Sequence, residues 1–187
     1  MDGEASLPGS KMERSEAVSA KRIQKSESPQ PEAGAVRLYT LEVSILGGPM
    51  TEKFMERNPV VSRTIQIRGD QTLEDLHDAI YDAMDRFDEH MYEFQFGKKP
   101  CDRNAKRYVM PEALDTYEPD VAGTAAETSI DALGLKVRQV FFYWFDFGDD
   151  WWHKIKVAVI DDEVLKGKYP KVVKRVGKSP PQYPDEE

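Results

Sequence analysis

Eleven residues, Phe145 to Ile155, read FDFGDDWWHKI and gather three acids, two tryptophans and one of the chain's three histidines. Aspartate beside histidine is raw material for two kinds of chemistry. An imidazole titrates near neutral pH and so moves protons, and its neutral nitrogen ligates transition metals. The other two histidines fall on apolar phases, as His153 does. His77 lies among Leu73, Ile80 and Met84 at helical spacing, and His90 shares strand parity with Tyr92, Phe94 and Phe96. His153 shares parity with Trp151, Ile155, Val157 and Val159.

Two readings follow. Each histidine is a separate core residue hydrogen-bonded to a carbonyl, or the three converge with Asp146 or Asp150 on one polar pocket. In the second reading the pocket members are His77, His90, Asp146 and His153, with Tyr92 and Trp152 as walls. His77, His90 and His153 are then the candidate ligands of a divalent metal. No His-Glu-x-x-His spacing supports a metal, so no cofactor is predicted, and a divalent ion stays as the alternative. Asp149 and Asp150 suit the bend itself. Asp146 follows the apolar run FFYWF, so its carboxylate needs donors, either the amides of the turn or a histidine. Trp152 falls on the opposite parity with Lys154 and Lys156, a pattern that suits nucleic acid. Lys171, Lys174 and Arg175, within the run from Lys166 to Lys178, extend that basic patch. Cys101 has no local histidine to activate it, and neither a phosphate-binding glycine loop nor a Gly-x-Ser-x-Gly elbow is present.

The elements that must position these residues are legible in the periodicity. VRLYTLEVSIL alternates as a strand ended by Gly47-Gly48-Pro49, and a second strand spans 60–68. The two are close enough in sequence to pair as an antiparallel hairpin. Thr72 opens a helix with an apolar stripe of Leu73, Leu76, Ile80, Met84 and Phe87. HMYEFQFG reads as a third strand. Residues 98–128 follow no period beyond a short strand near 107–110, and TSIDALGL suits one or two helical turns. Strands 139–145 and 151–160 close the pattern as a tight hairpin. The layout predicts an α+β fold, a single-domain roll of mostly antiparallel strands with one main helix packed on the sheet.

Composition sets the outer limits. Residues 1–35 are rich in Ser, Glu, Lys and Pro without aromatics, and read as a disordered tail before a domain at 36–178 and a Pro-rich acidic end at 179–187. One cysteine excludes an intrachain disulfide and any cysteine-based zinc module. A net charge of −8 works against nonspecific contact with phosphate backbones. No apolar run is long enough to span a membrane, and the N-terminus lacks the apolar centre of a signal peptide, so no membrane contact is expected and the expected compartment is the cytoplasm.

TLEDLHDAIYDAM, DEHMYEF and FDFGDDWWHKIKV together resemble the plasmid pRiA4b ORF-3-like family, also described as passenger proteins of insertion elements. The resemblance runs from Tyr39 to Pro181. The family signature YDFGDxWxH is matched by Phe145, Asp146, Phe147, Gly148, Asp149, Trp151 and His153, and His77 and His90 fall in its other motifs. The chain departs from the family at PPIWRR, where only Pro59 and Arg63 correspond, and at CPPEDxGG, where it reads SPPQYPDEE. The resemblance implies an α+β domain of unknown biochemical function. The reading from sequence is therefore a cytoplasmic binding or interaction module without demonstrated catalysis. The alternatives are a mobile-element-associated nucleic-acid-binding accessory protein, and a metal-dependent hydrolase using the His/Asp cluster. The partner is a protein or a nucleic acid.

Overall fold

The structure is a computed structural model that describes residues 36–114 and 121–183. The segment read as an N-terminal tail lies outside the described residues. Eight strands and two helices follow in chain order: β1 (Leu38–Gly47), α1 (Glu52–Arg57), β2 (Ser62–Arg68), α2 (Leu73–Ala83), β3 (Tyr92–Phe96), β4 (Lys106–Val109), β5 (Val121–Thr124), β6 (Val140–Phe145), β7 (Trp151–Asp161) and β8 (Lys171–Val176). All eight strands join one sheet in the order β5-β4-β3-β6-β7-β1-β2-β8. Every pairing is antiparallel except β4 with β5. The fold is therefore largely β, a mixed eight-stranded sheet with one substantial helix, and the expected α+β roll is overturned. Two strands escaped the sequence reading: β5 is a four-residue VAGT segment, and β8 is an edge strand whose lysines read as a charged run.

α2 begins where Thr72 predicts. Thr72 Oγ1 accepts from the Asp75 amide at 3.2 Å while Asp75 returns a carboxylate to the Thr72 amide at 2.7 Å, which satisfies two orphan donors reciprocally. The helix then buries Leu73, Leu76 and Ile80 against the inner face of the sheet. An eleven-residue helix is marginal alone, and three such side chains contribute on the order of 6 kcal/mol once covered, so packing holds it. It stops earlier than the stripe suggested. Met84 caps it, Asp85 turns left-handed at φ 55°, and Phe87 is left 72% exposed.

Beneath α2 the inner face carries Leu41, Val43, Ile65, Phe94, Phe141, Tyr143, Phe145, Trp151, Ile155 and Val157, all essentially closed to solvent. β3 is buried on both faces because the loop 97–105 folds over Glu93 and Gln95; the Cys101 amide donates to Gln95 Oε1 at 3.0 Å. Trp151 fits against the β1 terminus because Gly48 has no Cβ to meet its ring.

The helix C-terminus is clamped by arginines. Arg63 Nε donates to the Ala83 carbonyl at 2.7 Å, and Arg175 Nη1 reaches the same oxygen. The other Arg63 nitrogens bind the Val176 carbonyl at 2.9 Å and Ser179 Oγ at 2.7 Å, which ties α2, β2 and β8 together. A guanidinium is suited to this because its five donors stay charged at any ordinary pH. Arg63→Met is expected to lower the unfolding free energy by about 3 kcal/mol in urea denaturation, and Arg63→Lys to recover only a minor part of it. Wild-type stability in the Met variant would show that the clamp does not hold the helix.

Candidate functional site

The centre of the site is His77, placed on the buried side of α2 with 9% exposure. Its ring stacks on Tyr92 with centroids 3.7 Å apart and planes 6° from parallel. Nδ1 lies 2.6 Å from the Tyr143 hydroxyl, which projects from the middle of β6. Burial pushes the Tyr143 phenol well above its ordinary range, and burial pulls His77 down to about 4, so both partners are neutral at neutral pH. When the phenol donates to Nδ1, the imidazole carries its own proton on Nε2.

His77 and Tyr92 form one wall of a cleft of about 580 Å³ between α2, the segment entering β3, and the 3₁₀ turn Pro111–Ala113. Met91 and Met110 supply apolar walls, and Glu74, Asp78, Glu89 and Glu112 make the lining acidic. Burial first, and then the neighbouring acids, holds the carboxyls of Glu74 and Asp78 above their ordinary range. The Tyr92 hydroxyl is buried and has no hydrogen-bond partner among the described residues. Burial raises its pKa, as do the charges of Glu74, Asp78 and Glu112, so it remains protonated.

His90 stands at the cleft rim, ahead of β3 rather than within it. Its Nε2 is 2.7 Å from the Tyr183 hydroxyl and 3.5 Å from carboxylate oxygens of both Asp88 and Asp146. Asp146 is buried and left-handed at φ 54°. Its Oδ1 accepts from the amides of Gly148 at 3.1 Å and Asp149 at 3.3 Å, and its Oδ2 is the oxygen nearest His90. One carboxylate thus braces the turn and faces a histidine.

His153 is 1% exposed, beside Tyr143 on the neighbouring strand, and neither ring nitrogen has a hydrogen-bond partner among the described residues. Burial, then the positive charge of Arg86, lowers it to about 3; the backbone at Tyr143 and Trp151 opposes this only weakly. Arg86 was not singled out in the sequence. Its Cζ lies 3.7 Å from the Trp151 ring centroid, and Nε and Nη2 have no hydrogen-bond partner among the described residues. Burial pulls its pKa to about 10, so it is still a cation. The sequence signal for it is faint, one basic residue just past the end of α2.

The structure thus brings His77, Tyr92 and His90 to one cleft, sets Asp146 against His90, and leaves His153 in the core. The three histidines do not share one centre. Among the described residues no group of three or more His, Cys, Asp or Glu side chains is arranged to hold a metal. Trp152 is on the opposite face of the sheet and is no wall of this cleft. It stacks on Trp144 at 4.9 Å, and Trp144 donates to Asp150 Oδ1 at 3.0 Å. Lys154 and Lys156 are exposed on β7, with Lys156 3.5 Å from Glu42. Lys171 and Lys174 belong to β8, separated from β7 by β1 and β2, while Arg175 turns to the Ala83 carbonyl. These residues form no continuous basic patch.

The model of the Plasmid pRiA4b ORF-3-like protein family matches residues 53–183, and the chain belongs to that family. A crystal structure of a protein of unknown function, MM3350 from Methanosarcina mazei Go1, is similar in fold. Its TM-score is 0.55 at 24% identity, over 75% of this chain and 69% of that one. None of the curated proteins compared matches the chain. No helix among the described residues is long and apolar enough to cross a membrane.

His77 and His153 bind protons less tightly folded, at about 4 and about 3, than an unfolded histidine near 6.5. The unfolded chain therefore holds more protons in that window, and the stability present above pH 6.5 is lost as pH falls through it. Denaturation followed from about pH 7 to about pH 4.5 should show a loss on the order of 4 kcal/mol. His153→Leu, which removes a buried ring with no hydrogen-bond partner among the described residues, should flatten roughly half of that fall. A slope unchanged in the variant would refute the burial account of His153.

Proposed function

We propose that this member of the pRiA4b ORF-3-like family is a non-catalytic binding module whose acidic cleft receives a cationic group. The observation that carries the reading is Tyr92. A buried hydroxyl without a partner has lost its water and gained nothing in exchange. It lines the cleft beside Glu74, Asp78 and Glu112, whose charges repel one another and whose neighbour is a neutral aromatic pair. An ammonium or guanidinium group answers each of these conditions. Its N–H donors satisfy the Tyr92 oxygen, its charge relieves the carboxylates, and its carbon stem lies on the rings. Opposite charges about 4 Å apart attract by about 1 kcal/mol in bulk water and by about 4 kcal/mol at the effective dielectric of a protein surface. Met91 and Met110 let the walls adapt, since a thioether side chain has three rotatable bonds.

The same geometry argues against acid–base catalysis here. A general base acts best with a pKa near the working pH. His77 lies far below it at about 4, and its Nδ1 is held by Tyr143.

Butylammonium and butylguanidinium, with butanol as the uncharged control, give a direct test by NMR titration. Both cations are expected to shift the resonances of His77, Tyr92 and Met110, while butanol does not. Binding should strengthen as pH rises through the elevated range of Glu74 and Asp78, and weaken with salt. Tyr92→Phe should reduce affinity about threefold to tenfold, the worth of one hydrogen bond, and Glu74→Gln with Asp78→Asn should reduce it further. Equal response to butanol and butylammonium would rule the proposal out.

A further inference from the structure

The acidic cleft continues into an apolar ledge. Phe87, just past the end of α2, is 72% exposed, and its ring meets Tyr183 edge to face with centroids 5.8 Å apart. Tyr183, 42% exposed, meets the His90 ring in turn at 6.4 Å. His90 lines the cleft, and so does the next residue, Met91, which is 44% exposed. Single apolar side chains at a surface are ordinary, whereas a run of them leading into a polar cleft marks a place where another molecule sits.

Hydrogen bonds hold this ledge in place. Gln182 Oε1 accepts from the amides of Phe87 at 3.0 Å and Asp88 at 3.1 Å, and Gln182 Nε2 donates to the Asp88 carbonyl at 2.7 Å. The Tyr183 hydroxyl donates to Asp88 Oδ2 at 2.7 Å and lies 2.7 Å from His90 Nε2. These polar groups are already paired, so what the two rings still offer is apolar area. Aromatic side chains with few torsions lose little entropy when covered, which is the property of anchor residues at protein interfaces.

We infer that the cleft and this ledge form one docking surface for a segment of another protein, one that carries a lysine or arginine close to a large apolar residue. The inference rests on the reading of the cleft as a site for a cationic group. A free small amine fills the cleft and leaves Phe87 and Tyr183 in water. A nucleic acid or an anionic membrane meets Glu74, Asp78, Glu89 and Glu112 as like charges. A basic and apolar peptide segment suits both parts, its cation among the carboxylates and its apolar side chain on the two rings. An extended chain advances about 3.3 Å per residue. With Tyr183 6.4 Å from His90 at the rim, and Phe87 5.8 Å from Tyr183, the apolar residue stands about two to four positions from the cation.

Isothermal titration of the full chain with a capped Gly-Lys-Gly-Phe-Gly peptide tests it, with Gly-Lys-Gly-Ala-Gly, Gly-Gln-Gly-Phe-Gly and butylammonium as comparisons. The Lys-Phe peptide should bind about tenfold tighter than the Lys-Ala peptide, the effect of partly burying one aromatic ring. It should also bind about tenfold tighter than the Gln-Phe peptide, which lacks the charge. Phe87→Ser, at an exposed position, should bring the Lys-Phe peptide down to the Lys-Ala level and leave butylammonium unchanged. In the unaltered protein, the Lys-Phe peptide should shift the ring resonances of Phe87 and Tyr183 in NMR spectra, and the Lys-Ala peptide should not. Equal binding of those two peptides, with butylammonium still bound, leaves the cleft reading standing and overturns the docking surface. Loss of butylammonium binding as well overturns both. Sedimentation showing a dimer that Phe87→Ser dissociates also overturns the inference, since a second copy then covers the ledge.

Discussion

The hydrogen bond between the Tyr143 hydroxyl and His77 Nδ1, at 2.6 Å, sets the position of nearly everything around this cleft. It pins the face of α2 to the central strand β6, and it fixes the rotation of the imidazole that Tyr92 stacks upon. A lone helix on a wide sheet has no second helix to define its register. Polar bonds at three points do that here. The Thr72–Asp75 box holds the start, Tyr143 the middle, and Arg63 with Arg175 the Ala83 carbonyl at the end. With those points fixed, Glu74 and Asp78 must face the cleft, because they share the side of the helix that also presents His77.

The family signature acquires a physical meaning in this frame. Asp146 supplies its side-chain oxygen to the turn amides at a left-handed backbone position. Trp151 lies between Gly48 and the Arg86 guanidinium, and His153 sits in the core beside Tyr143. These residues hold the β6–β7 hairpin and the inner packing together. The departure at the C-terminal motif has a structural answer of its own. Gln182 caps the amides of Phe87 and Asp88 and donates to the Asp88 carbonyl, while Ser179 bonds Asp85, so the segment SPPQY straps the turn after α2. Tyr183 continues that strap to His90 and Asp88.

The two faces of the sheet divide the charge. The inner side opens to solvent at an acidic cleft, and the outer side carries Arg103, Lys106 and Arg107 around a buried acid. A net charge of −8 averages over both and describes neither. Alternation along β3 makes this possible, because Tyr92 and Glu93 are adjacent in the chain and point to opposite faces.

Local pattern alone determined a good part of this protein. The cap at Thr72, the apolar stripe from Leu73 to Met84, the strands on either side of the Asp146–Asp150 turn and the inward phase of His77 and His153 all follow from spacing, because each depends on neighbours within one or two turns of chain. Short-range signals failed where a partner distant in sequence decides the outcome. VAGT becomes β5 only because β4 lies beside it, and the basic run becomes β8 only because β2 has a free edge. Glu93 and Gln95 alternate with the aromatic residues of β3, and the loop that covers them is placed by no local pattern. The three histidines share a phase toward the packed side, yet phase sets only direction and not place along the sheet. Tertiary structure alone put His77 at the cleft, His90 against Asp146 and His153 in the core, because which strands pair, and in what register, is fixed by contacts across the whole chain.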